Sequence, residues 1–187
     1  MIHRLALIAM AGVLLLAASV SAFDGDRKGF ILGGGAGLGA VSSEGDDTKL
    51  AFMTDFVIGY APTPQLAIHY TNKVAWYSTE WITGSIWDWQ TESITTVAGV
   101  SAAAVTYWFQ PVAPSPFITG GIGIGIQAAP FESNADSYTG LGLVGGAGYE
   151  FSRHWSVAAE IVYAKPEERG FSWDVWAFRL MVTGLAY

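Results

Sequence analysis

The chain has 187 residues and carries 16 acidic against 9 basic side chains, a formal net charge of −7 that argues against nucleic acid as a partner. It contains no cysteine, which excludes disulfides, thiolate nucleophiles and thiolate metal sites. Aromatics make up 14% of the chain, with 8 Trp and 8 Tyr, amphipathic rings of the kind that collect at membrane interfaces.

Chain order begins with a basic stretch at His3 and Arg4, an apolar run from Leu5 to Ala18 and the small-residue site Val20-Ser21-Ala22. This pattern predicts a secretory signal peptide, residues 1–22, cleaved after Ala22. No later segment has the roughly 20 apolar residues of a membrane helix. Residues 23–187 are then expected to form one domain.

Eight runs alternate with period two after the leader. The first, Lys28 to Val41, sets Phe30, Leu32, Ala36, Leu38 and Ala40 against Gly29, Gly33, Gly35, Gly37 and Gly39. The second, Lys49 to Tyr60, places Leu50, Phe52, Phe56, Ile58 and Tyr60 outward and Lys49, Ala51, Met53, Asp55, Val57 and Gly59 inward, and the turn Ala61 to Gln65 ends it. The third, Leu66 to Tyr77, puts Ala67, His69, Thr71, Lys73, Ala75 and Tyr77 inside. The fourth, near Ser93 to Phe109, is Ala-rich and leaves its facing open, with Tyr107, Trp108 and Phe109 expected at an interface before a Pro-rich turn.

In the fifth run, Phe117 to Gln127, Ile118, Ile122, Ile124 and Ile126 face out and Gly121, Gly123, Gly125 and Gln127 face in. The sixth, Tyr138 to Phe151, and the seventh, Trp155 to Tyr163, send their bulky apolar residues out and Glu150 and Glu160 in. The eighth starts with Trp176, Phe178, Leu180 and Val182 outward, whereas Leu185 and Tyr187 have the opposite parity; a bulge at Gly184 is expected to reconcile them. Links at Ala61 to Gln65, Gln110 to Pro116 and Ser152 to His154 are short or Pro-rich. Those at Ser42 to Thr48, Ser78 to Glu92, Ala128 to Ser137 and Ala164 to Phe171 are generally longer and acidic. Short links are expected on the periplasmic side and long ones outside.

These observations predict an all-β fold, an eight-stranded antiparallel up-and-down transmembrane β-barrel with lipid against its bulky face. The opposite assignment, a soluble barrel of lipocalin kind, would need the bulky faces inside. The chain resembles the small eight-stranded outer-membrane barrels, the group of the OmpA transmembrane domain and the OmpX and Ail type proteins. Its opening Lys28 to Gly35, the Gly-alternating fifth and sixth runs, Thr106-Tyr107-Trp108-Phe109 and the terminal Thr183 to Tyr187 carry that likeness. The resemblance implies a Gram-negative outer-membrane location and insertion by the barrel assembly machinery, with Leu185 and Tyr187 in the recognition signal. Members of the group do unrelated jobs, so it implies no function.

The inward charges form the most specific constellation. Reflection about the turn near Thr63 sets Asp55 opposite Thr71 with His69 and Lys73 diagonal to it, and reflection about the last long link brings Glu160 to Arg179. A gated polar path is the functional reading; a narrow interior that pairs its own charges is the plainer one and is preferred. His154-Trp155-Ser156 has the His-x-Ser spacing of lipid A deacylase barrels, but Val157 stands where an Asn belongs, and strand parity puts His154 at a periplasmic turn. Gly35 to Ala40 fits a loose dinucleotide pattern inside a strand, where no helix follows to cradle a phosphate.

No cofactor or metal is expected. The long links hold acids beside Trp81, Trp87 and Trp89, the best candidates for contact with a surface partner. The reading is a non-enzymatic outer-membrane protein acting through its loops, with outer-membrane lipid and lipopolysaccharide as neighbours. A lipid A-modifying enzyme and a narrow solute channel are the alternatives.

Overall fold

A computed structural model describes residues 26–85, 88–132 and 137–187. The expected leader lies outside the described residues. The strands are β1 (Gly29–Ser43), β2 (Lys49–Thr63), β3 (Leu66–Ser85), β4 (Asp88–Trp108), β5 (Ser115–Ala128), β6 (Ser137–Ser152), β7 (Trp155–Glu168), the two-residue β8 (Phe171–Ser172) and β9 (Val175–Ala186). Each long strand pairs antiparallel with the next, and β9 closes the ring by pairing with both β7 and β1. The β8 segment pairs only with Glu167 and Glu168 at the tip of β7. The result is a closed eight-stranded barrel in which, among the described residues, no long strand is left as a free edge, the condition for β-structure in lipid.

Alternation explains which face meets which medium. Leu50 is 88% exposed, Leu38 and Leu180 are 70% exposed, and Ile122, Phe178 and Trp155 are exposed beside them. A wall this apolar would be a liability in water and suits hydrocarbon. Small residues on the opposite parity let the lumen close. A Cβ at Gly123 would stand 2.0 Å from the Ser101 carbonyl oxygen, so a strand carrying a side chain there could not lie where it does.

The fourth run acquires a definite facing: Ala98, Val100, Ala102, Ala104, Thr106 and Trp108 are buried in the lumen. Trp108 therefore leaves the expected aromatic interface, where Tyr107 and Phe109 remain in edge-on contact, their ring centroids 5.5 Å apart. Several strands outrun their expected ends. The link Ser78 to Glu92 is mostly ladder, paired out to Ser85 opposite Asp88. Likewise β7 continues through a buried Pro166 to Glu168, and the link shrinks to a turn at Arg169 and Gly170, both at positive φ. Loop-like polarity misled the sequence reading there, because cross-strand pairing sustains a hairpin whose residues need not alternate in hydrophobicity.

The bulge expected at Gly184 is absent. Pairing of β9 with β1 runs in unbroken register from Ser43–Val175 to Leu32–Ala186. Leu185 packs against the inner cluster and Tyr187 is buried within it, so the change of parity is a real inward turn of the apolar side chains. Gly184 keeps the outward parity and lies beneath the Trp155 ring, with room for a Cβ only at 3.5 Å.

The lumen is layered. Towards the long links, an apolar layer of Val41, Met53, Tyr77, Val100, Val144, Val162, Met181 and their neighbours fills the section, with Trp173 packed on it. Towards the short turns lies a second cluster that includes Ile31, Val57, Trp108, Phe117, Ala158 and Tyr187. Buried charges occupy the space between and beside these layers.

Candidate functional site

Asp55, on β2, lies directly opposite Lys73 on β3, not opposite Thr71 as the sequence reflection placed it; Thr71 pairs with Val57 and His69 with Gly59. The reason is local. Strand β2 runs on to Thr63, which pairs with Leu66, and an irregularity between Tyr60 and Thr63 resets the ladder, so the mirror point lies further along the chain than Thr63. On the other side of the barrel Glu160 is directly opposite Arg179.

Lys73 joins the two halves. Its Nζ donates to Asp55 Oδ2 at 3.2 Å and to Glu160 Oε1 at 2.7 Å. Arg179 Nε stands 3.8 Å from Glu160 Oε2, beyond hydrogen-bond reach, while its Nη2 donates to the Thr54 carbonyl at 2.9 Å. All four side chains are at most 5% exposed. Two carboxylates and two cations make the cluster neutral, which such burial requires, because each ion costs several kcal/mol to take out of water. His69 stands apart from it in hydrogen bonding: its Nε2 meets Thr106 Oγ1 at 2.9 Å, and that hydroxyl donates to Thr119 Oγ1 at 3.0 Å.

A second buried centre closes the short-turn end. Arg27, ahead of β1, forms a short ion pair with Glu150 on β6. Its Nη1 donates to the carbonyls of Pro64 at 2.8 Å and Gln110 at 3.1 Å, and its guanidinium lies 4.6 Å from the Trp108 ring centroid. Tyr187 donates to the other Glu150 oxygen at 2.6 Å. One arginine thus ties together two turns, a strand end and the last residue.

Sequence reasoning placed Glu150 inside without a partner and missed Arg27 altogether. The available signal was the inward Glu150 itself, an acid demanding a cation, but Arg27 precedes the first alternating run and no periodicity points its side chain anywhere.

His154 and Ser156 do not form a surface dyad at the long-link end. The His154 ring contacts Tyr187, centroids 4.5 Å apart, and its Nδ1 lies 2.9 Å from the Leu185 carbonyl oxygen at the short-turn end. Among the described residues no group of three or more His, Asp or Glu is gathered as a metal would need.

At the long-link end Trp173 donates to Gln127 Oε1 at 2.6 Å, and Gln127 Nε2 donates to the Tyr77 hydroxyl at 3.1 Å, covering the apolar layer. The β3–β4 ladder runs on beyond this cover, which its residue Tyr77 helps to form. Its register with β2 ends at Trp76 and with β5 at Val97, so that among the described residues Tyr77–Ser85 and Asp88–Thr96 have ladder partners only in each other. Trp81 lies opposite Glu92 and Trp89 opposite Gly84 on this ladder, whereas Trp87 falls outside the described residues.

No curated protein sequence matches the chain. Solved structures share its fold. Ail, the attachment invasion locus protein of Yersinia pestis, matches with a TM-score of 0.54 at 13% identity, over 84% of this chain and 99% of that one. Ail has also been solved with the heparin analogue sucrose octasulfate, and that structure matches with a TM-score of 0.52 at 14% identity, over 84% and 99% of the two chains. Neisserial surface protein A matches with a TM-score of 0.53 at 14% identity, over 83% and 96%. A family model, that of the outer membrane protein beta-barrel domain, matches residues 10–181, and with the closed apolar-walled barrel described above the chain belongs to that family.

Proposed function

We propose that the protein is a non-enzymatic barrel of the Gram-negative outer membrane, exported with a cleaved leader, that acts at the cell surface through its long-link end. The β3–β4 hairpin carries this reading. Beyond the last buried rung, where Ile94 pairs with Thr79, six residues of each strand run on, about 20 Å of ladder at a rise of about 3.3 Å per residue, with three tryptophans in the sequence from Trp81 to Trp89. Tryptophan at the centre of a contact supplies much of a binding energy.

Charge narrows the partner. Glu44, Asp46, Asp47, Glu132 and Glu167 are exposed at the long-link end, against Lys165, Arg169 and a half-buried Lys49 that is paired with Asp46. A sulfated polyanion of the kind seen with Ail is disfavoured on such a rim, and a basic protein surface is favoured. The same acids share divalent cations with lipopolysaccharide phosphates in this reading.

Packing supports it from the inside. With an apolar layer at one end of the lumen and the Arg27–Glu150 pair at the other, the interior gives no support to a solute path. The place of His154 at the short-turn end likewise gives none to acyl hydrolysis at the outer leaflet. The last strand, ending in Leu185 and Tyr187, serves in this reading as the segment recognised by the barrel assembly machinery.

Replacing residues 79–94 by a two-residue turn tests the proposal. Barrel folding, read as a mobility shift on boiling in SDS gels, is expected to persist, while adhesion of expressing cells to immobilised basic matrix protein falls to the vector level. Full adhesion by the shortened variant would contradict the hairpin's role.

A further inference from the structure

The outer wall is apolar nearly all round, and its exceptions are gathered in one place. Exposed Tyr60, Tyr107 and Tyr149 mark the short-turn end of that wall, and Trp76 and Trp176 mark the other. Between these two rings the described residues put three non-aromatic polar side chains on the lipid face, Thr54 of β2, Asn72 of β3 and Ser101 of β4. They are neighbours: Asn72 pairs with Ser101, and Thr54 pairs with Val74, the next outward residue of β3.

Depth makes this grouping costly. Along β3, Asn72 is six residues from Leu66, which pairs with Tyr107, and four from Trp76. At about 3.3 Å per residue and a tilt of about 40°, it stands about 15 Å from one ring and about 10 Å from the other. That is deep in the hydrocarbon, where no water completes a hydrogen bond.

Bonding within the barrel leaves part of the patch unmet. Thr54 is provided for, its Oγ1 accepting from Trp76 Nε1 at 3.0 Å. Asn72 Nδ2 donates to Ser101 Oγ at 2.7 Å. The Tyr70 hydroxyl donates to the same oxygen at 3.2 Å, so it points along the wall and not to the polar interface that tyrosine favours. Among the described residues the half-buried Asn72 amide has no other partner, which leaves one N–H and the Oδ1 free. Turning the amide over would engage the oxygen and free both N–H groups, so an unmet polar group remains either way. There is also room for a partner. The row Gly99, Ser101 and Ala103 on β4 lies between bulkier rows on β3 and β5, and small residues let a second protein wall come close.

We infer that this patch is a self-association surface, through which two copies of the barrel pair in the plane of the membrane with their Asn72 amides bonded to each other. Lipid tails offer neither donor nor acceptor at this depth, so the occupant is another protein wall. Symmetry says which. Two copies inserted in the same direction are related by a two-fold axis along the membrane normal, and that axis sets each residue at the depth of its own counterpart. A carboxylate or an ammonium placed there would meet its like and be repelled. An amide is both donor and acceptor, so each Asn72 N–H donates to the partner's Oδ1 and two bonds form. The inference goes beyond the hairpin reading and needs only that the barrel sits in lipid.

Energy transfer between labelled copies tests it. The chain has no native cysteine, so Thr63→Cys, exposed at the turn between β2 and β3, takes a donor or an acceptor dye. Folded barrels are mixed in liposomes, and transfer is followed as added lipid dilutes the protein. Transfer well above the level of randomly placed barrels is expected in the otherwise unaltered protein. Asn72→Val and Asn72→Ala, made side by side in case one fails to fold, should each weaken association about tenfold, the effect of losing two hydrogen bonds within a membrane. Ile161→Ala, on β7 at the opposite wall, should leave it unchanged. Folding of every variant is checked by mobility shift on boiling. Transfer at the random level in the unaltered barrel would give the patch to a different protein and overturn the inference. So would undiminished association in the folded Asn72 variants, or an equal loss in Ile161→Ala.

Discussion

Lys73 is the side chain on which the barrel interior turns. Among the described residues it alone ion-pairs with both Asp55 and Glu160, and its removal would leave two carboxylates buried in one narrow section with Arg179 as the remaining ion-pairing cation. Removing one partner of a buried pair costs far more than the pair contributes, because an uncompensated charge remains. Lys73→Met is therefore expected to lower the stability of the folded barrel by about 3–5 kcal/mol, measured by urea unfolding in liposomes. Lys49→Met, which breaks the exposed pair with Asp46, is expected to cost less than about 1 kcal/mol. Equal effects would show that the interior pairs are screened like surface ones.

Strand parity was enough to place Asp55, His69, Lys73, Glu160 and Arg179 on inner faces, since each lies in an alternating run. Who meets whom was less legible. The Asp55 partner depended on where a strand stopped, which an irregularity near Thr63 decided, and Arg27 lies where no alternation exists to read.

Glycine sets the limits on the elements. On β5 the Gly123 position faces inward, where a Cβ would meet the Ser101 carbonyl oxygen at 2.0 Å and Ala102 Cα at 2.5 Å. Gly145 on β6 has nothing within 4 Å of its would-be Cβ and follows the outward parity of Leu143 and Ala147. Gly123→Val is expected to force the β4–β5 pair apart and cost at least about 1–3 kcal/mol, seen as a smaller folded fraction on unheated gels, with Gly145→Ala close to neutral. Loss of the folded band in both would mean that sheet geometry, not interior volume, demands glycine. The same elements show why strand ends were hard to read. Hydrophobic alternation marks only the part of a strand set in lipid, so the polar extensions of β3, β4 and β7 read as loops. In β9 the alternation was legible and its continuation was correct; only the assumption that the final aromatic faces lipid called for a bulge.

The whole molecule is a cylinder whose outside is solved by lipid and whose inside is solved by itself. Closure pairs the long strands with neighbours on both sides, neutral charge clusters lie in the middle and at the short-turn end, and apolar clusters pack around them. Eight strands leave room for side chains and little more. Fold class was legible because the outer belt is continuous and bulky; the seal at the short-turn end was not, because it depends on one residue outside the repeat. The proposed role of the rim goes with an interior closed to solutes. Single-channel recording of the refolded protein in planar bilayers tests it most directly. The expected result is a flat baseline, unchanged by Glu160→Gln. Uniform, reproducible conductance steps whose size or ion selectivity changes with Glu160→Gln would contradict it.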